Sequence, residues 1–100
     1  MKLIFKFAHC PVSHPFEDKI KELFKKLDRH FHHIVSIRLT MDVENGHAKM
    51  KAVVHLPKKI MIVVESESED MYKTAHQIVD IIDRKICQRK SRMQEHREAS

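Results

Sequence analysis

Apolar and polar residues alternate strictly in the middle of the chain, as expected for a strand with one buried face. The apolar positions are Val35, Ile37, Leu39, Met41 and Val43. The dipeptide Asn45-Gly46 follows, and it favours the two-residue turn of a β-hairpin. Such a turn sets the register of the two strands. The predicted cross-strand pairs are Val43 with Ala48, Met41 with Met50, Leu39 with Ala52, Ile37 with Val54, Val35 with Leu56 and, on the other face, Asp42 with Lys49.

Two further strands flank this hairpin in the sequence. The segment from Ile60 to Ser66 follows the three-residue loop Pro57-Lys58-Lys59, which keeps the apolar parity. The pairs predicted for it are Leu56 with Ile60, Val54 with Ile62, Ala52 with Val64 and Lys51 with Glu65. At the N-terminus, Met1, Leu3, Phe5 and Phe7 alternate with Lys2 and Lys6, which predicts a first strand.

Apolar residues spaced by three and four predict two amphipathic helices. In the first helix these residues are Phe16, Ile20, Leu23, Phe24, Leu27 and Phe31, and in the second Met71, Ala75, Ile78, Val79, Ile82 and Ile86. Ser13 is placed to cap the first helix, Pro15 suits its first turn, and its end is expected near His30 to His33. For the second helix we predict a cap at Ser66 or Ser68, with Glu69 in capping-box spacing after Ser66.

The order strand, helix, three strands, helix predicts an α+β fold, a two-layer sandwich with both helices on one face of a four-stranded mixed sheet. The first two strands should lie parallel, and the following hairpins should extend the sheet antiparallel. We expect one domain over residues 1–95 and a frayed tail over residues 96–100. The open sheet face, left to solvent or a partner, should carry Lys2, Lys6, Arg38, Lys49 and Lys51.

The charge of the chain favours an anionic partner. Among 100 residues, 42% are hydrophobic, enough for one small core, and the formal net charge is +5. The second helix opens with acidic residues and ends with basic ones, while its apolar spacing stops near Cys87. A basic helix end without apolar partners must face solvent or a polyanion, and nucleic acid is the commonest polyanion.

Other chemistries have little support in the sequence. The single glycine lies in the hairpin turn, so there is no phosphate-binding glycine loop. The cysteines, Cys10 and Cys87, form no CxxC motif, and Cys10 with His14 lacks a third group for nucleophilic catalysis. The cluster His30, His32 and His33 lacks a matching cysteine or carboxylate pattern, so a polar helix end is favoured over a metal site.

No stretch of the chain resembles a membrane segment. The apolar run at residues 1–8 is interrupted by Lys6 and is shorter than the apolar region of a signal peptide. No later run approaches the roughly 20 apolar residues that span a bilayer. We therefore expect a cytoplasmic protein with no membrane partner.

Two motifs and the order of elements resemble the short ribosome hibernation promoting factors, of the ribosome-associated inhibitor and sigma-54 modulation protein family. The motifs are Lys26-Leu27-Asp28 near the end of the first helix and Asp70-Met71-Tyr72 at the start of the second. The similarity continues through Asp80, Ile82, Arg84, Ile86 and Lys90. The chain departs from the family at Leu23, where relatives often have a basic residue, and at Ile81, where lysine is frequent.

This resemblance implies a translation inhibitor rather than an enzyme, without cofactor, metal or small-molecule substrate. Family members bind the small ribosomal subunit and its rRNA in the channel of mRNA and tRNA, and they promote hibernation in stationary phase. A separate ribosome modulation factor is a possible second partner on the ribosome. The residues predicted to contact rRNA are Lys25, Lys26, Arg29, Arg84, Lys85, Arg89, Lys90 and Arg92.

Two alternatives remain open from the residues alone. Helices over an open sheet also describe general double-stranded RNA-binding domains, which recognise duplex shape. The basic helix could instead dock an acidic protein, in a small interaction module or a hydrolase that uses Cys10.

Overall fold

A computed structural model of the protein describes the backbone of residues 1–8 and 13–99, and the side chains of residues 1–8 and 13–88. Cys10, considered above together with His14, lies outside the described residues. The elements are β1 (Lys2–Ala8), α1 (His14–His30), β2 (Ser36–Glu44), β3 (His47–Leu56), β4 (Ile60–Ser68) and α2 (Met71–Ala99).

The four strands form one mixed sheet in the order β1-β2-β3-β4. β1 and β2 are parallel, and the other two pairs are antiparallel. The register follows the predicted pairs, including Leu39 with Ala52 and Lys51 with Glu65. Asn45 and Gly46 have φ angles of 53° and 75°, as the two-residue turn requires. The four predicted strands, their order and the α+β class are thus confirmed.

One predicted pair, Val35 with Leu56, is wrong. Val35 precedes β2, and its side chain is 56% exposed. Its backbone N–H donates a hydrogen bond to the carbonyl oxygen of His55 on β3 at 2.9 Å. The core position at this end of the sheet is filled by the side chain of Ile34 instead. Ile34 and Phe31, both nearly fully buried, thus close this end of the core in place of Val35.

Both helices cover the same sheet face, and one continuous core lies between the two layers. The buried residues include Ile20, Leu23, Phe24 and Leu27 of α1, Ala75, Ile78, Ile82 and Ile86 of α2, and Ile37, Leu39, Met41, Met50, Ala52 and Val54 of the sheet. Burial of each large aliphatic or aromatic side chain stabilises the fold by roughly 1.5–3 kcal/mol. The apolar spacing of three and four in both helices is therefore satisfied by the sheet.

The helix starts agree with the sequence only in part. Ser13 caps α1, since its hydroxyl oxygen accepts a hydrogen bond from the Phe16 N–H at 3.4 Å. At α2 the predicted serine caps are wrong. β4 continues to Ser68, and α2 begins only at Met71. The capping position therefore falls on Asp70, whose carboxylate accepts a hydrogen bond from the Tyr72 N–H at 3.1 Å. Ser66 instead donates to the Gln77 side chain at 2.6 Å.

A buried threonine joins the start of α2 to the sheet. Thr74 is 0% exposed, and its hydroxyl donates to the Asp70 carbonyl oxygen at 2.9 Å. The same hydroxyl lies 2.6 Å from that of Ser68, at the end of β4. The first turn of α2 is therefore held in place relative to β4. Within the described part of the chain, no helix has the combined length and apolar character of a membrane span.

Candidate nucleic-acid interface

A groove of about 330 Å³ lies between α1 and the first turn of α2. Its lining residues are Lys19, Glu22, Leu23, Lys25, Lys26, Arg29 and Tyr72. Four cations and one carboxylate thus surround an aromatic ring. A concave surface of this composition suits a phosphate backbone and an unstacked base.

The spacing of α1 places its cations on the groove. Ile20, Leu23 and Leu27 face the core, so the intervening residues point away from the sheet. Arg29 is three residues beyond Lys26 and four beyond Lys25, and residues at both spacings are neighbours on a helix surface. Like charges at these spacings destabilise a helix by a few tenths of a kcal/mol, so this cluster is not explained by helix stability.

Lys25, Lys26 and Arg29 form no ion pair with a described carboxylate. Among the described side chains, the ion pairs include Lys21 with Glu17 at 3.8 Å and the N-terminal amine with Asp28 at 3.6 Å, but none with Lys25, Lys26 or Arg29. Asp28 is the acidic residue closest in sequence to this cluster, and its pairing with the N-terminus directs it toward β1. The positive charge of the groove is therefore open to an external anion.

Tyr72 supplies the aromatic part of the groove. The ring is half-buried and lies edge-to-face with the His76 ring at a centroid distance of 4.7 Å and an interplanar angle of 86°. The hydrogen bond from its N–H to Asp70 fixes its backbone. Tyr72 is therefore held by its own helix while it lines a groove rich in cations from α1.

The predicted cations of α2 are not joined to this groove. Arg84 and Lys85 are exposed and absent from its lining. Arg84 lies twelve residues beyond Tyr72, which is about 18 Å along a helix and a third of a turn around it. The side chains of Arg89, Lys90 and Arg92 lie outside the described residues, although their backbone belongs to α2. The structure thus brings together the three α1 residues of the eight predicted, Lys25, Lys26 and Arg29.

Two polar residues of the groove were missed by the sequence reasoning. Lys19 and Glu22 line it together with Lys26. Lys19 lies seven residues before Lys26, which is two helical turns, so a projection of α1 would have placed both on one side. The contact of this side with Tyr72 could not be read from spacing, because it depends on how the two helices pack.

The open sheet face differs from the groove because two of its cations, Lys49 and Lys51, have carboxylate neighbours. Lys49 pairs across the sheet with Asp42 on one side and Glu67 on the other, and Lys51 pairs with Glu65. The Lys49 ammonium also donates a hydrogen bond to Glu44 at 3.3 Å. This bond and the Glu44 charge raise the pKa of Lys49. The face predicted to be cationic is therefore a mixed-charge surface.

The described histidines and the described cysteine, Cys87, form no cluster that could hold a metal ion. No group of three or more histidine, cysteine or acidic side chains within the described ranges could hold a metal ion. His33 instead contacts the Phe31 ring edge-to-face at 6.3 Å. The Cys87 thiol is exposed and donates to the Asp83 carboxylate at 3.6 Å.

Comparison with known proteins identifies the family. The sequence pattern of the family described as sigma 54 modulation protein / S30EA ribosomal protein matches residues 3–94. The chain belongs to this family. A ribosome hibernation promoting factor of Azotobacter vinelandii is 30% identical over 87 residues, covering 87% of this chain and 80% of that protein. Its namesake from Pseudomonas putida is 29% identical over 86 residues, covering 86% and 83%.

Solved structures show the same fold. A ribosomal subunit interface protein from Coxiella burnetii has a TM-score of 0.84 at 19% identity, covering 91% of this chain and 99% of that one. The N-terminal domain of Protein Y from Thermus thermophilus has a TM-score of 0.78 at 18% identity, covering 86% and 96%. The resemblance inferred from the two sequence motifs is confirmed. The family is not enzymatic, so the hydrolase alternative is rejected.

Proposed function

We propose that this protein binds the small ribosomal subunit through its rRNA, in the channel used by mRNA and tRNA, and keeps ribosomes inactive in stationary phase. Membership of the family and relatives named ribosome hibernation promoting factor support ribosome association. The observation that carries the site is the groove between α1 and α2, with Lys25, Lys26 and Arg29 unpaired among the described side chains and Tyr72 beside them.

The groove can bind folded RNA by two complementary contacts. Its ammonium and guanidinium groups neutralise phosphates and release the counterions condensed on the RNA. Tyr72 offers a ring on which an unpaired base can stack, and unpaired bases are common in ribosomal RNA loops but not in regular duplexes. This combination favours folded rRNA over a general duplex. A protein placed in the decoding channel inhibits translation by occupying space, and it needs no chemistry.

The site extends along α2 in this proposal. Arg84 and Lys85 are exposed farther along the helix, and Arg89, Lys90 and Arg92 follow on the same helix backbone. A helix of 29 residues is about 43 Å long, so these cations can contact phosphates well separated from those at the groove. A cytoplasmic location follows from ribosome binding. A ribosome modulation factor could act on the same ribosome.

Cosedimentation with ribosomal subunits on sucrose gradients tests this function. We expect wild-type protein to sediment with small subunits at low salt and to inhibit translation in vitro. The triple variant Lys25→Gln, Lys26→Gln, Arg29→Gln should remain in the top fractions. The matched control Lys6→Gln, Arg38→Gln, Lys51→Gln removes the same charge from the open sheet face, and it should bind like the wild type.

The outcomes separate the alternatives. Wild-type protein that does not sediment with small subunits at low salt would reject the proposed function. Equal affinity for arbitrary RNA duplexes and for subunits would favour a general double-stranded RNA binder. Retained binding by the groove variant would leave the function standing and reject the groove as its site.

A further inference from the structure

The open face of the sheet is arranged in four rows, because residues paired across neighbouring strands lie side by side. From β1 to β4 the rows are Lys2, Ser36, His55 and Met61; Ile4, Arg38, Val53 and Val63; Lys6, Thr40, Lys51 and Glu65; and Ala8, Asp42, Lys49 and Glu67. Neither helix covers these rows, since the core and both helices lie on the other face.

The apolar residues of this face are concentrated in the first two rows, where they alternate with Lys2, Ser36, His55 and Arg38, and the acidic residues lie in the last two rows. Met61 and Val63 are 56% and 46% exposed, and Ile4 and Val53, beside them in the first two rows, are half-buried. In the third row the outer positions carry opposite charges, Lys6 on β1 and Glu65 on β4. Exposed apolar side chains grouped beside balanced charges are typical of a protein interface rather than of an RNA-binding surface.

We propose that the open sheet face binds a second copy of this chain, around a two-fold axis that runs along the strands between β2 and β3. That axis places β1 of one copy over β4 of the other. Lys6 then faces the partner's Glu65, and Ile4 faces the partner's Val63. On the central strands, Asp42 faces the partner's Lys49. Each of these contacts occurs twice in the dimer.

The charge pattern selects this axis over the other face-to-face arrangement. An axis across the strands would place β1 over β1 and β4 over β4, in opposite directions. The first row would then lie over the partner's fourth row and the second row over its third row, so Lys6 would face the partner's Ile4 and Val63 would face the partner's Glu65. Only the axis along the strands pairs Ile4 with Val63 and Lys6 with Glu65. The same axis sets Lys2 over the partner's Met61 and Arg38 over the partner's Val53, where their aliphatic stems can pack.

The size of the face predicts a weak dimer. Four strands with seven paired residues each span about 19 by 23 Å, a footprint of about 440 Å² on each copy and roughly 900 Å² in total, which is below the usual range of stable interfaces. Stacked sheets cross at about 30°, which displaces the outermost pairs by some 3–4 Å, a distance that lysine and glutamate side chains can span. We expect a Kd on the order of 10⁻⁵ to 10⁻⁴ M. The groove between the helices stays open in both copies.

Charge reversal with mixing tests the proposal, using sedimentation equilibrium of the full chain up to about 1 mM. Lys6→Glu alone and Glu65→Lys alone each create two like-charge contacts in the dimer, so each variant should associate at least tenfold more weakly than the wild type. An equimolar mixture should regain association, since the mixed dimer opposes each Glu to a Lys. Lys73→Glu, an exposed charge reversal on α2, should associate like the wild type.

Thermal unfolding of each variant confirms that the fold is intact. A wild-type chain that stays monomeric at 1 mM, single variants that associate like the wild type, or a mixture no tighter than its components would each overturn the proposal. Loss of ribosome cosedimentation in Lys6→Glu would assign the face to RNA and would also overturn it. The groove variant should dimerise normally, so failure of the rRNA site and failure of the dimer are distinguishable.

Discussion

Neutralising Lys25, Lys26 and Arg29 should weaken ribosome binding by an amount that depends strongly on salt. These three cations are exposed, line the groove and form no ion pair among the described side chains. Replacement by glutamine removes charge but keeps a long side chain with good helix propensity, so α1 should be unaffected. The loss should therefore be electrostatic.

The expected magnitude follows from counterion release. Each neutralised phosphate contributes about 0.7–0.9 to the slope of log affinity against log salt concentration, so three lost contacts should reduce the slope by about 2–3. Over a tenfold range of salt this corresponds to a factor of roughly 100–500. The variant should thus bind about 100–500-fold more weakly near 0.1 M salt and approach the wild type near 1 M.

Titration of small subunits over a series of monovalent salt concentrations, at constant magnesium, measures both slopes. The control variant Lys6→Gln, Arg38→Gln, Lys51→Gln has lost the same charge from the open sheet face. Its slope of log affinity against log salt concentration should differ from that of the wild type by less than about one unit. An unchanged slope in the groove variant would refute the reasoning. So would a loss of affinity that is equal at all salt concentrations, because it would point to damage of the fold rather than to lost phosphate contacts.

Four further predictions concern single residues. Tyr72→Leu should cost about 1–3 kcal/mol of subunit affinity by loss of base stacking, while Tyr72→Phe binds normally; both should keep the wild-type salt slope. Thr74→Val should lower the free energy of unfolding, measured in urea, by about 1–3 kcal/mol, because it removes a buried hydroxyl and leaves its hydrogen-bond partners unsatisfied. Lys59→Gly should raise that free energy by about 0.5–1 kcal/mol, since Lys59 has a φ of 61°, which glycine adopts without strain. The pKa of Lys49, measured by NMR, should fall toward the ordinary lysine value in Glu44→Gln. Because the pKa of Lys49 is raised in the folded protein, its pairing with Glu44 stabilises the fold fully at pH values below the ordinary lysine pKa. This contribution is lost as the pH rises through the raised pKa of Lys49.

The sheet could be predicted from sequence because its determinants are local. A period of two assigns each side chain to a face, and the Asn45-Gly46 turn then sets the register of β2 against β3. Errors occurred where two neighbouring residues could serve the same role. Ile34 rather than Val35 closes the core, and Asp70 rather than a preceding serine caps α2. The burial of Ile34 depends on packing, and the cap at Asp70 depends on where β4 ends. The apolar periodicity of the sequence predicts neither.

The candidate site could be predicted only in part, because a cation's role depends on neighbours distant in sequence. Lys26 and Lys51 look alike as exposed lysines, yet Lys51 is opposite Glu65 across the sheet, whereas Lys26 lines a groove with Arg29 and Tyr72. Sequence spacing identifies which cations share a helix but not which aromatic ring or carboxylate another element brings to them. The net charge of +5 is therefore a poor guide to the partner. What favours RNA at the helices and protein at the sheet is the local ratio of cations to carboxylates, four to one in the groove and nearly balanced in the third and fourth rows of the sheet.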